Sequence, residues 1–209
     1  MSIVVALEGG VCSGKSSVCR LLERDGIAAQ CRDYMDMITD RNAEEISELP
    51  PLERAAIFLD LDSHRLSLVA QSSLPLVLDR CALTVFAFEF ACVRANYNSA
   101  EPRLTELVST YKLVQPDAIT FLDVSDALRN KREESRQNRV LPRLVDPQFN
   151  AAIREFFQKT ATLVPTQFLN SGQNSPEEIA QKVEEQIALS KVSVKTAPFW
   201  QPLLSWAFE

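Results

Sequence analysis

The sequence predicts an α/β domain in which a parallel sheet lies between two layers of helices. Five short apolar runs, at 3–7, 27–31, 74–78, 118–123 and 167–170, have the length of buried strands. The segments between them repeat their apolar residues at helical spacing, and a glycine-rich turn joins the first run to the first such segment. Right-handed crossovers between parallel strands place helices on both faces of the sheet, and such sheets bind ligands at the carboxyl ends of their strands.

Each element has its own signal. After the run at 3–7, Val18, Leu21 and Leu22 begin an amphipathic helix that Gly26 closes. After the run at 27–31, Pro51 opens a helical pattern that continues through Leu52, Ala55, Ala56 and Leu59 to Leu66, Val69 and Ala70. The run at 74–78 is followed by Thr84 and a very apolar stretch to Val93, and then by Pro102 ahead of Leu104, Leu107, Val108 and Tyr111. Beyond 118–123, Pro147 precedes Phe149, Ala152, Ile153 and Phe156. The run at 167–170 leads to Ser175, which forms a capping box with Glu178 before Ile179, Val183 and Ile187. Residues 1–190 therefore read as one domain. The segment 191–209, with Pro198, Phe199, Trp200, Pro202 and Trp206, reads as an aromatic tail packed on that domain or on a partner.

Composition narrows the function classes. The 209 residues are 46% hydrophobic and 24% charged, as in ordinary globular domains. With 22 basic against 28 acidic side chains the net charge is −6, which argues against a nucleic acid polymer as partner. No run approaches the ~18 apolar residues of a membrane span and no signal peptide is evident, so a cytoplasmic protein without membrane association is expected. Cys12, Cys19, Cys31, Cys81 and Cys92 are odd in number and form no CxxC pair, which suits reduced thiols. His64 stands alone, so a zinc site is not indicated.

The strongest chemical signal is the loop Gly9, Gly10, Val11, Cys12, Ser13, Gly14, Lys15, Ser16 and Ser17, which satisfies the GxxxxGK[ST] spacing of a phosphate-binding loop. Its glycines let backbone N–H groups turn inward around phosphates, and the following helix adds its positive amino-terminal end. Lys15 is then expected on the β- and γ-phosphates of ATP, with the Ser16 hydroxyl on Mg²⁺. Asp79, at the carboxyl end of the third run, is a second candidate ligand for Mg²⁺, and Arg80 beside it faces the same cleft. Asp33, just after the second run and beside Arg32, is placed to orient an acceptor hydroxyl or take its proton, with Asp36 as its rival. Arg129, Lys131, Arg132, Arg136, Arg139 and Arg143 form a dense basic segment. Within it Arg132, Arg136 and Arg139 recur at helical spacing suited to clamping phosphate oxygens.

In this order the motifs resemble the thymidylate kinase and deoxynucleoside kinase branch of P-loop kinases. The resemblance rests on Glu8-Gly9 leading into the loop, Arg32-Asp33 after the second strand, Leu78-Asp79-Arg80, and 121–124 followed by the arginine-rich segment. It implies a three-layer P-loop NTPase fold, a five-stranded parallel sheet ordered 2-3-1-4-5, a lid carrying the arginines, and an acceptor pocket involving Asp33, Arg65 and Arg80. Closure of such a lid would exclude water and suppress idle hydrolysis of ATP. Two departures keep thymidine monophosphate from being implied: Tyr34-Met35-Asp36 replaces a Pro-Gly-Gly-like turn, and Cys81 follows Asp79-Arg80 where Tyr, His or Ser is usual.

The expected activity is ATP- and Mg²⁺-dependent transfer of the γ-phosphoryl group to a nucleoside, nucleotide or other small hydroxylated metabolite. Lys15, Asp33, Arg80, Arg132, Arg136 and Arg139 are the candidate catalytic residues. The rival reading is a regulatory or partner-binding module that uses nucleotide occupancy as a switch. The apolar stretch 85–93 suits either the core or a homodimer interface.

Overall fold

The computed structural model describes residues 2–31, 33–38, 40–135, 140–190 and 199–208. Its centre is β1 (Val4–Glu8), flanked by β3 (Leu76–Asp79) and β4 (Ala118–Asp123), with β2 (Ala29–Cys31) and β5 (Thr166–Asn170) at the edges. All pairings are parallel and the order is β2-β3-β1-β4-β5, as the resemblance implied. Every residue of β1 is buried, because alternate side chains enter two different cores.

Val5 and Leu7 join Val77, Ala118 and Leu122 against α1 (Lys15–Arg24) and α11 (Pro176–Leu189). Val4 and Ala6 face the other way, onto a larger core built with α4 (Pro51–His64), α6 (Ala82–Arg94), α7 (Glu101–Val108) and α10 (Pro147–Thr160). The capping box of α11 forms in full between Ser175 and Glu178. Gly26, at φ +68, closes α1 in the left-handed conformation that favours glycine.

Three details differ from the sequence reading. The helical pattern through 52–70 is two helices, because the chain turns at Arg65 between α4 and a short α5 (Leu66–Gln71). Helix α6 starts at Ala82 and not after Thr84, whose hydroxyl is engaged elsewhere. The stretch 85–93 builds the core: within it only Val93 is exposed, since α6 is wrapped by α4, α7, α10 and α12 (Trp200–Phe208). A helix apolar nearly all round requires such enclosure. Helix α12 supplies the fully buried Leu203 and stacks Trp200 edge-on to Phe86 at 5.4 Å.

Short elements complete the rim: α2 (Tyr34–Met37) and α3 (Ala43–Glu48) after β2, and α8 (Asp126–Glu134) and α9 (Pro142–Val145) after β4. Among the described residues no helix is long and apolar enough to cross a membrane. Cys19, Cys81 and Cys92 are buried, and Cys12 is half-buried.

Candidate functional site

The loop after β1 turns in backbone conformations that its composition permits. A Cβ on Gly9, at φ +131, would lie 2.3 Å from the Leu122 carbonyl oxygen of β4, so the close approach of loop to sheet requires glycine there. Gly14, at φ +97, is the residue from which α1 springs. Lys15 folds back over the loop it follows, its Nζ donating to the carbonyls of Gly9 at 3.0 Å and Gly10 at 2.8 Å and to Ser13 Oγ at 3.2 Å. Burial and the neighbouring Arg80 bring the Lys15 ammonium down to about 8, with Asp79, Asp33 and Glu8 opposing that fall. A buried ammonium held on carbonyls and facing three carboxylates is primed for a better anionic partner. Ser16 lies half-buried in the first turn of α1.

Two carboxylates end the central strands beside this loop. Asp79 closes β3 in register with Leu7 of β1, is fully buried, and has no hydrogen-bond partner on either carboxylate oxygen. Glu8 closes β1, almost completely buried, and accepts from the Cys81 N–H at 2.9 Å and the Thr84 hydroxyl at 2.5 Å. Burial pushes the Glu8 carboxyl above its ordinary range, and Thr84, Arg80 and Cys81 offset only part of that.

Asp33 lies on the same side. Its Oδ1 accepts from Met35 N at 3.0 Å, capping α2, and its Oδ2 accepts from Arg80 Nε at 2.9 Å. Burial works against ionisation here, but Arg80, the Met35 N–H and Lys15 outweigh it and hold the carboxyl below the usual range. Asp36 is exposed on α2. Arg80 also reaches the Gly9 carbonyl at 3.3 Å, so it touches both the loop and Asp33.

Arg65 requires a correction. Its side chain is fully buried, 3.7 Å from Asp62 and stacked 4.2 Å from the Tyr34 ring centre, with Nη1 donating to the Arg80 carbonyl at 2.7 Å. It supports the pocket wall from behind and offers no guanidinium to a substrate.

On the other side of the loop, Arg132 of α8 donates to the Cys12 carbonyl at 2.9 Å and to Ser171 Oγ and O at 3.0 and 2.8 Å. It thereby ties the lid segment to the loop and to the turn after β5. These elements enclose a cleft of about 330 Å³ lined by Ser13, Gly14, Val18, Arg132, Asn174 and Ile179, among others. Arg136 and Arg139 lie outside the described residues, and so does Arg32. Arg129, which the spacing argument passed over, is buried on Asp126 and the Val124 carbonyl and lies close to Gly10.

Sequence reasoning also missed Glu8 as a site residue. A charged residue closing an otherwise apolar central strand was the available signal.

The fold and the glycine loop together define a three-layer α/β protein with a phosphate-binding loop of P-loop spacing. The chain is similar to solved kinase structures: deoxyadenosine kinase from M. mycoides with the products dCMP and dCDP bound (TM-score 0.71, 14% identity, 90% of this chain and 100% of that one), and thymidylate kinase from Candida albicans (TM-score 0.63, 19% identity, 90% and 91%). It is also similar to the YorR protein from Bacillus subtilis in complex with phosphorylated GDP (TM-score 0.54, 18% identity, 89% and 96%). No family model matches the sequence, and no curated protein matches it. At these identities the likeness is one of fold.

Proposed function

We propose that the chain is an ATP- and Mg²⁺-dependent phosphotransferase that moves the γ-phosphoryl group to a hydroxyl of a nucleoside or similarly compact metabolite. The observation that carries this reading is Asp79. A fully buried carboxylate with both oxygens unpartnered is costly unless a cation arrives to pair with it. Among the described residues no cluster of three or more His, Cys, Asp or Glu side chains could hold a metal ion. One carboxylate and one hydroxyl suit Mg²⁺, which takes few protein ligands and completes its shell with phosphate oxygens and water. Asp79 and Ser16 would hold it, and when bound it would draw negative charge off the β- and γ-phosphates.

The chain's own residues do the rest. Lys15 exchanges its carbonyl contacts for phosphate oxygens, which the loop N–H groups and the start of α1 also receive. Arg132 closes the donor cleft. Glu8, with its raised carboxyl, is the better base for an acceptor hydroxyl, while Asp33 is held ionised as the partner of Arg80. The acceptor oxygen then bonds to the γ-phosphorus as the bond to ADP breaks, and its proton passes to Glu8. A hydroxyl acceptor is preferred because Arg80 is already neutralised by Asp33 and Arg65 by Asp62. Of the structures of similar fold, the deoxyadenosine kinase supports a nucleoside acceptor.

The test is ADP release from ATP and Mg²⁺ across nucleosides, nucleoside monophosphates and hydroxylated metabolites, with Lys15→Ala as control. Turnover with a nucleoside, an acid limb of kcat above the ordinary glutamate value of 4.5, and loss of that limb in Glu8→Gln are the expected results. Turnover with monophosphates alone would overturn the hydroxyl assignment. Nucleotide binding without transfer to any acceptor would favour the regulatory module.

A further inference from the structure

Arg80 carries a φ of +71, a conformation that residues with a Cβ seldom adopt, and it does so between a strand end and a helix start. That conformation swings its carbonyl away from the sheet ladder and sends its side chain toward the loop and Asp33. The displaced carbonyl accepts from Arg65 Nη1 at 2.7 Å. Arg65 is itself fixed. Asp62, one turn before it and fully buried, faces it at 3.7 Å, and Tyr34 covers its guanidinium at 4.2 Å. Asp62 also accepts from the Tyr34 hydroxyl at 2.9 Å and from Val114 N at 2.9 Å, so it is anchored on two other segments. Tyr34 follows Asp33, and Asp33 returns to Arg80. The contacts form a closed circuit of five residues drawn from three separate stretches of chain.

We propose that Arg65 and Asp62 are positioning residues for phosphoryl transfer, acting through the Arg80 backbone to set the Arg80–Asp33 pair against the phosphate-binding loop. The proposal rests on the kinase reading for its consequence but not for its geometry. Neither residue has a route to substrate, since both side chains are completely buried. A charge-assisted donor on the Arg80 carbonyl is what stabilises the left-handed turn, and the planar guanidinium is needed to donate and to stack on Tyr34 at once. Lysine keeps the charge opposite Asp62 but cannot do both.

Three readouts separate this role from general support of the fold. In Arg65→Lys the protein should remain folded, bind ATP within about twofold of wild type, and lose kcat about tenfold to a hundredfold with little change in acceptor KM. In a double-mutant cycle with Arg80→Lys the losses should be non-additive, the double variant being no slower than Arg80→Lys alone. A crystal structure of Arg65→Lys should show Arg80 out of the left-handed region and its bond to Asp33 broken. That last readout needs no turnover, so it tests the circuit even where every acceptor fails. Additive losses, an unchanged kcat, a rise confined to KM, or a variant structure with Arg80 unmoved would each overturn the proposal.

Discussion

The two halves of the cleft are built by different means. The donor half is backbone: nine consecutive residues bring N–H groups, two left-handed glycines and one folded-back lysine to a single point. The acceptor half is side chain: Glu8, Asp33, Asp62, Arg65 and Arg80 come from four places in the chain and meet only because β1, β3, the end of α4 and the start of α2 lie together. A backbone site tolerates varied neighbours but few changes in itself. A side-chain site can be retuned residue by residue, which suits the half that must choose a substrate.

The largest effect should come from the donor half. On the proposed reading, Lys15→Ala removes the cation that meets the transferring phosphoryl group, and turnover should fall by about 10³-fold or more in the steady-state assay. If it fell less than tenfold, the loop would not be where the chemistry occurs, and the contrast between the halves would lose its basis.

Asp79→Asn comes next, and it should move two measurements in opposite directions. Turnover should drop about 10²-fold with a raised Mg²⁺ requirement. The metal-free protein should become more stable by about 1–3 kcal/mol, because a buried carboxylate that no hydrogen bond satisfies is replaced by a neutral amide. For a chain of this size that is about 2–4 °C in Tm for each kcal/mol, read by calorimetry in EDTA. A variant less stable than wild type without metal would mean that Asp79 has a protein partner, and the argument for a cation there would fail.

Asp33→Asn tests the acceptor half with a smaller change. The amide still caps α2 through its oxygen but loses the ion pair to Arg80. Turnover should fall about tenfold, with ATP affinity unchanged by equilibrium titration. A loss as large as that of Glu8→Gln would return the role of base to Asp33.

The same division explains what could be read in advance. The donor half was legible because its residues are contiguous and the physics of a phosphate loop dictates their spacing. The sheet order followed from the resemblance that those motifs carried. The acceptor half was legible only as a collection of candidates. Asp33 and Arg80 lie near the loop, yet their mutual pairing, which changes what each can do, is a tertiary fact. Arg65 was assigned to the acceptor pocket through the resemblance alone, and an arginine in a helical pattern is ordinarily exposed. Here the chain turns at that residue, and Asp62 three positions earlier supplies the counter-charge that permits complete burial. Glu8 was read only as the residue leading into the loop, although a carboxylate closing a central strand has to be satisfied by something.

Stability against pH, which involves no turnover, asks whether the donor half is held ready before nucleotide arrives. Lys15 falls from 10.5 in the unfolded chain to about 8 in the folded one, chiefly through burial. Between these values the unfolded state holds a proton that the folded state has released, so the contribution of this group to stability rises with pH, by about 1.4 kcal/mol per unit. Below pH 8 both states are protonated, the slope vanishes and the penalty of a buried charge is fully present. Lys15→Met has no such group. In urea titrations without nucleotide the variant should therefore exceed wild type most at pH 7, with the gap narrowing from pH 8 to 10. Saturating nucleotide and Mg²⁺ should abolish the narrowing in wild type, because phosphate oxygens keep the ammonium charged. A gap independent of pH without nucleotide would mean that Lys15 is solvated, with the donor half assembled by the nucleotide and not before it.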